Sequence, residues 1–248
     1  PLTRGLFKNA IMQSGGGFDL FTSTMIPTLK QYEDMVDLKR ALGVDSIAEA
    51  RKLDAQEIIR RISRPEAAGA YLPMQVADGV IFPDTNTEIC KKEMYHKINY
   101  IIGYTKDESH MYEPNFDKEA FIQDVKNEYG DYAEDYLKLC DFLQDDEAFK
   151  KHMISRSGEL LRTAAENFAE LVSSHGNGPV YVYCFARRMP DGDHTTFHGS
   201  DQWFQFETLG RCNWRDFTGT DFDLSKTYAK FFANFCKTGN PNGTDVPK

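Results

Sequence analysis

The side chain best suited to acid–base chemistry in this sequence is His198, which stands between Phe197 and Gly199. Pro190 and Gly192 precede it and interrupt helices, so we expect the imidazole to lie on a loop. Histidine exchanges protons near neutral pH more readily than other side chains, which makes His198 the candidate general base. Such a base requires a carboxylate that orients its ring and a nucleophile that it activates.

The carboxylate candidate is Glu108, which follows a predicted strand as His198 does. The strands are predicted at residues 98–104 and 180–185, which are rich in β-branched and aromatic side chains. In open α/β sheets, ligands bind at the carboxyl ends of the strands, so the placement of both residues fits one active site. The alternative is that Asp107 and Glu108 form a capping pair at the start of a helix.

Apolar patterns divide the rest of the chain into one further strand and several helices. A compact apolar run at residues 6–14 ends in glycines and predicts a short buried strand. Helical spacing predicts helices within residues 28–64, 87–92, 118–174 and about 223–237, with Asp45, Ser46 and Asp54 as candidate caps. Strands separated by long helical stretches indicate an α/β fold with a mostly parallel sheet flanked by helices.

No nucleophile of the expected pattern occurs in this sequence. A G-x-S-x-G elbow is absent, and the nearest segment, around Ser14, lacks the first glycine. We therefore expect Ser14 to be structural or to line a pocket. Residues 175–178 resemble a glycine-rich oxyanion loop, but they follow a predicted helix and precede a strand, so we interpret them as a helix end and turn.

A metal site is the competing interpretation of the segment around His198. Its acidic and imidazole side chains are Asp191, Asp193, His194, His198 and Asp201. The two histidines would share a face only on a helix, which the glycine and the β-branched threonines of this segment disfavour. We predict no metal here, and we expect Ser200 and Asp201 to anchor the loop.

Composition excludes some classes of function. The net charge is −9 and no basic run occurs, which argues against nucleic-acid binding. No apolar run approaches the roughly 20 residues that span a bilayer. The five cysteines are scattered without a C-x-x-C pair, which is typical of reduced thiols and favours a cytoplasmic location.

A series of segments resembles, in the same order, the type-B carboxylesterases, the cholinesterase-like branch of the α/β-hydrolases. These segments are residues 1–15, 78–84, 103–108, 179–185, 198–201 and 238–242. Residues 1–15 are similar to the segment just downstream of that family's nucleophile. The resemblance covers essentially the whole chain, with Ser109 standing where the family has a glycine after the acid.

The resemblance implies that residues 1–248 form the C-terminal part of an α/β-hydrolase domain. Glu108 would be the triad acid and His198 the base, with the nucleophilic serine and the oxyanion hole upstream of Pro1. The expected reaction is hydrolysis of a small-molecule carboxylic ester through an acyl-serine intermediate, without a metal or organic cofactor. Two alternatives remain: a non-catalytic cholinesterase-like adhesion module, or an inactive fragment that binds the N-terminal portion of its own protein or self-associates.

Overall fold

A computed structural model describes residues 3–15, 18, 29–64, 76–109, 114–190 and 195–247, and the structural statements below concern these residues. The chain divides into two compact units. One comprises Pro1–Leu2 and Phe21–Met94, and the other comprises Thr3–Leu20 and Tyr95–Lys248.

The first unit is helical. Its helices are α1 (Leu29–Leu42), α2 (Ile47–Ala50), α3 (Ala55–Ile62) and α4 (Asn86–Lys91). The predicted caps Ser46 and Asp54 are confirmed, because their side chains accept backbone N–H groups at the starts of α2 and α3. Asp45 lies one residue earlier and instead donates its N–H to Glu49 Oε2 at 2.9 Å.

The second unit is built on a parallel three-stranded sheet. Its strands are β1 (Asn9–Gln13), β2 (Asn99–Thr105) and β3 (Val180–Phe185), in the order β1-β2-β3. The central strand β2 is buried from Tyr100 onward, as expected of a strand covered on both faces. The prediction of a parallel sheet flanked by helices is confirmed. Because the strands are parallel, the carboxyl ends of all three lie at the same end of the sheet.

Helices cover both faces of this sheet. Those of the second unit are α5 (Lys118–Tyr129), α6 (Ala133–Lys138), α7 (Asp146–Ser174), α8 (Asp201–Gln205) and α9 (Gly219–Thr238). Tyr100 of β2 packs edge-on against Phe168 of α7, whereas its neighbour Ile101 packs against Phe232 of α9. Successive side chains of a strand point to opposite faces, so α7 and α9 lie on opposite sides of the sheet.

The ends of α9 have identifiable causes. The helix begins earlier than the predicted residue 223, because Thr218 and Asp221 form a capping box. It ends at Gly239, whose φ of 78° is the left-handed conformation of a helix C-terminus. The Asn9 side chain donates to the carbonyl oxygens of Phe235 and Cys236, which ties this helix end to β1.

Two structural observations concern membrane-spanning helices and metal binding. Within the described ranges, no helix combines the length and apolar character that crossing a bilayer requires. The same part of the chain contains no group of His, Cys, Asp and Glu side chains that could hold a metal ion.

Candidate active site

Glu108 is the centre of the candidate site. It follows β2, its side chain is fully buried at 0% exposure, and its backbone φ is 46°. A left-handed backbone is uncommon for a residue other than glycine and concentrates at functional sites. Ser14, which follows β1, has the same unusual backbone with a φ of 47°.

The Glu108 carboxylate accepts three hydrogen bonds. Oε1 accepts from Ser14 Oγ at 2.5 Å and from the backbone N–H of Thr105 at 2.6 Å. Oε2 lies 2.6 Å from His198 Nδ1. An ionised carboxylate only accepts, so the imidazole proton is on Nδ1 and the lone pair is on Nε2. This is the tautomer that a general base needs.

The segments that carry Glu108 and His198 are hydrogen-bonded to each other along their length. Thr196 exchanges bonds with Asp107: its Oγ1 accepts the Asp107 N–H at 2.8 Å, and its own N–H donates to Asp107 Oδ2 at 2.9 Å. His198 donates its N–H to the Ser109 carbonyl oxygen at 3.0 Å. These bonds hold the imidazole against the carboxylate from the backbone as well as from the side chain.

Among the described residues, Asp107 and Glu108 do not cap a helix. The next helix of the described residues, α5, begins at Lys118 and is capped by Asp117. The Asp107 carboxylate binds Thr196 instead, and the Glu108 carboxylate is turned inward to the imidazole. Both acids therefore connect the loop after β2 to the loop after β3.

A close approach of α7 supports the loop before Glu108. The N–H of Gly158 donates to the Asp107 carbonyl oxygen at 3.2 Å. A Cβ atom at Gly158 would lie 2.0 Å from the Lys106 carbonyl oxygen, so a residue with a side chain could not stand here unless the backbone moved. Glycine at this position thus allows the helix to pack directly on the backbone that leads to Glu108.

The His198 ring is partly open to solvent, with its side chain 44% exposed. Within the described ranges, no side chain hydrogen-bonds to Nε2. Aromatic side chains flank the loop: Phe197 packs edge-to-face on Trp203 with ring centroids 5.4 Å apart, and the Arg215 guanidinium lies 5.2 Å from the Phe197 ring and 5.8 Å from the Trp203 ring. The unpaired nitrogen is therefore free to accept a proton from a hydroxyl group that approaches it.

The structure describes two of the five residues in the competing metal interpretation, His198 and Asp201. Asp191, Asp193 and His194 lie outside the described residues. His198 Nδ1 is engaged by Glu108, and Asp201 Oδ2 accepts from Gln13, Tyr183 and Tyr228. The segment at residues 175–178 is a helix end, as predicted, with His175 at the C-cap of α7 and Gly176 at a φ of 67°.

Sequence reasoning placed Glu108 and His198 correctly at one edge of the sheet, but it missed the partner of Ser14. Ser14 also follows a predicted strand, so the same rule on the carboxyl ends of strands contained a signal for it. In this structure the Ser14 hydroxyl donates to Glu108 and makes no hydrogen bond to His198. The parts played by Thr105 and Thr196 had no signal in the sequence.

The parallel sheet, its flanking helices and the acid–histidine pair at the strand ends define the α/β-hydrolase class. Two solved structures share this fold. One is a PNB esterase (TM-score 0.71, 22% identity), which matches 99% of this chain and 51% of its own. The other is a carboxylesterase from Geobacillus stearothermophilus (TM-score 0.68, 19% identity), matched over 100% of this chain and 53% of its own.

The chain belongs to the carboxylesterase family, whose model matches residues 1–248. Among curated relatives, it is 24% identical to liver carboxylesterase B-1 of Rattus norvegicus over 286 aligned residues. It is 23% identical to cocaine esterase of Homo sapiens over 281. Each alignment covers 100% of this chain but only 50% and 48% of the relative, so the chain spans about half the length of these proteins.

Proposed function

We propose that this chain supplies the acid and the base of a Ser-Glu-His triad that hydrolyses carboxylic esters. His198 is the general base and Glu108 the acid that orients it. The serine nucleophile and the oxyanion donors come from sequence upstream of Pro1 in a longer protein. Membership of the carboxylesterase family supports ester hydrolysis, and the absence of a G-x-S-x-G elbow from this sequence supports the division of the triad.

The observation that carries the proposal is the 2.6 Å contact between His198 Nδ1 and Glu108 Oε2. It fixes the tautomer that leaves Nε2 able to take a proton from a serine hydroxyl. The buried carboxylate then faces the imidazolium that forms, which stabilises the charged state of the ring. No metal or cofactor takes part in these steps.

The reaction would proceed in two stages. In the first, the serine oxygen attacks the ester carbonyl while its proton passes to His198 Nε2, and the same proton is then given to the leaving alcohol. In the second, water attacks the acyl-serine and gives its proton to His198, which returns it to the serine oxygen. The ester bond is thereby replaced by an acid and an alcohol.

The edge of the sheet formed by β1 supports the presence of further strands in the longer protein. Within the described ranges, β1 pairs only with β2, and Leu6, just before β1, is 76% exposed. An unpaired strand edge beside exposed apolar surface is a site of association. We infer that upstream sequence completes one α/β-hydrolase domain here, and that the isolated chain self-associates through this edge.

The test is hydrolysis of a short-chain p-nitrophenyl ester by this chain and by a version extended upstream through the expected elbow. The proposal predicts turnover only in the extended form. His198→Ala should abolish that turnover, whereas His96→Ala, which changes a histidine before β2, at the opposite end of the strand from Glu108, should not.

Two results would contradict the proposal in different ways. Turnover by the 248-residue chain alone would mean that a nucleophile lies within it. A folded extended form without turnover would favour the non-catalytic binding module.

A further inference from the structure

A second buried carboxylate lies close to His198 in sequence. Asp201 begins α8 and is 1% exposed. Its Oδ2 accepts from Tyr183 at 3.0 Å, Gln13 at 3.2 Å and Tyr228 at 3.3 Å. These donors belong to β3, β1 and α9, so one carboxylate oxygen connects three elements to the start of α8.

The loop that carries His198 is continuous with this anchor. The Ser200 N–H donates to the Phe197 carbonyl oxygen at 3.0 Å, and the Gln202 N–H donates to the Gly199 carbonyl oxygen at 3.1 Å. This hydrogen-bonded turn leads directly into α8. A displacement of Asp201 would therefore be transmitted through the turn to the imidazole.

Adjacent residues at the end of β1 bind the two carboxylates. Gln13 donates to Asp201, and Ser14 donates to Glu108. Glu108 in turn contacts His198. His198 and Glu108 are therefore both connected to the end of β1. His198 is connected through Asp201 and α8, and Glu108 is connected directly by the hydrogen bond from Ser14.

Gly103 leaves space for the residue that makes the shortest of the Asp201 contacts, Tyr183. A Cβ atom at Gly103 would lie 2.1 Å from the Tyr183 ring, so only glycine allows this ring to lie across β2. Burial, and then the negative charge of Asp201, raises the pKa of Tyr183 far above its usual range. The phenol therefore keeps its proton and remains a donor to Asp201.

We propose that Asp201 is a positioning residue for His198: it anchors the start of α8 so that His198 Nδ1 stays on Glu108 Oε2. The hydrogen bonds of Asp201 lie within this chain whatever its function is. Only the effect of Asp201 on turnover rests on the proposed function. Asp201 touches no reacting atom and acts through the turn at residues 197–200.

The direct test is NMR of the ¹⁵N-histidine-labelled chain. The Nδ1–H proton of His198, bonded to Glu108, should give a low-field signal that His198→Gln removes. Asp201→Asn preserves the side-chain volume but removes the charge that strengthens the three hydrogen bonds. Tyr183→Phe removes the shortest bond and leaves Asp201 intact. Both variants should weaken the signal or move it upfield, because the ring leaves Glu108 for part of the time.

Matched controls separate positioning from general damage. Tyr181→Phe makes the same change on β3 at a ring that packs on Phe235, and Glu207→Gln neutralises an exposed acid after α8. Both should leave the signal unchanged. In a version extended through the elbow, Asp201→Asn should lower kcat about fivefold or more at nearly constant KM, because ring orientation affects the chemical step rather than binding.

An unchanged low-field signal in folded Asp201→Asn and Tyr183→Phe would overturn the proposal. If Asp201→Asn fails to fold, Tyr183→Phe decides the question by itself. The NMR signal does not depend on turnover. An extended protein without esterase activity would therefore contradict the proposed function, whereas the NMR signal would still test the positioning role of Asp201.

Discussion

Ser14 Oγ lies 2.5 Å from Glu108 Oε1, although 94 positions of sequence separate the two residues. The parallel register of the sheet brings them together, because β1 pairs with β2 from Asn9 opposite Asn99 to Gln13 opposite Gly103. Ser14 continues this ladder with an N–H bond of 2.8 Å to the Gly103 carbonyl oxygen. The hydroxyl therefore holds the acid of the pair from the neighbouring strand.

Ser14→Ala should lower esterase turnover without abolishing it. The change removes one of the donors to Glu108 Oε1 and leaves the contact with His198 in place. A hydrogen bond to a charged group contributes about 1.5–3 kcal/mol, which corresponds to about tenfold to a hundredfold in kcat. The measurement is kcat in the extended protein, with Ser155→Ala on α7 as a matched control.

Abolition of turnover by Ser14→Ala, to the level of His198→Ala, would contradict this account. It would assign to Ser14 the nucleophilic role that its bond to Glu108 argues against.

Glu108→Gln should reduce turnover far more than Ser14→Ala. Ser14 and the Thr105 N–H both donate to one oxygen of the carboxylate, so the amide oxygen of the variant would occupy that position. The amide NH₂ would then face His198 Nδ1 and require it to accept, which moves the ring proton to Nε2. A base in the wrong tautomer loses on the order of 10³–10⁴-fold in kcat.

The matched control is Glu207→Gln, which neutralises an exposed glutamate and should retain full turnover. Heteronuclear NMR of the imidazole nitrogens checks the cause independently of activity. A variant that keeps the proton on Nδ1 would show that the carboxylate does not set the tautomer.

Gly158→Ala should destabilise the chain through the loop before Glu108. The added methyl group would collide with the Lys106 carbonyl oxygen, which is backbone and cannot rotate away. Overpacking of this kind costs about 1–3 kcal/mol. Gly210→Ala is the control, because a Cβ there meets no atom within 4 Å. Equal melting temperatures of the two variants would contradict the close packing of α7 on this loop.

Stability at acidic pH should depend on Asp221. Burial would raise the pKa of this carboxyl, but hydrogen bonds from Arg187 and Thr218 outweigh it and hold the pKa below the usual value. The native state therefore binds its proton less readily than the unfolded chain does. The stabilisation is present above the usual pKa and is lost as pH falls toward the lowered one.

Urea unfolding at a series of pH values tests this dependence. Asp221→Asn should be less stable than the wild type at pH 7, and the difference should shrink as the pH is lowered through the acid range. Asp223→Asn, on the same helix but with a 79% exposed side chain, should show little change at any pH. A constant difference between Asp221→Asn and the wild type would contradict the ion-pair explanation.

The fold and the placement of Glu108 and His198 were predictable because their signals are local. Each strand that carries the site is a short β-branched or aromatic run, and Glu108 and His198 each follow such a run. Helix caps such as Ser46 and Asp54 depend on bonds to residues two or three positions away, which the sequence shows directly.

Contacts that depend on register were not predictable. The bonds from Ser14 to Glu108 and from Gln13 to Asp201 exist only once β1 has paired with β2 in one register and α8 has docked. The short helix α8 has no periodic pattern of its own, because its five residues complete little more than one turn. Tertiary packing, rather than local propensity, fixes these parts of the site.

Whether the nucleophile lies upstream of Pro1 is tested most directly by mapping where a fluorophosphonate probe attaches in the extended protein. Such a probe forms a covalent adduct with a serine that a histidine base activates. We predict an adduct on a serine that precedes Pro1, formed in the wild type and lost in His198→Ala. An adduct on Ser14, or labelling at the same rate in His198→Ala, would contradict it.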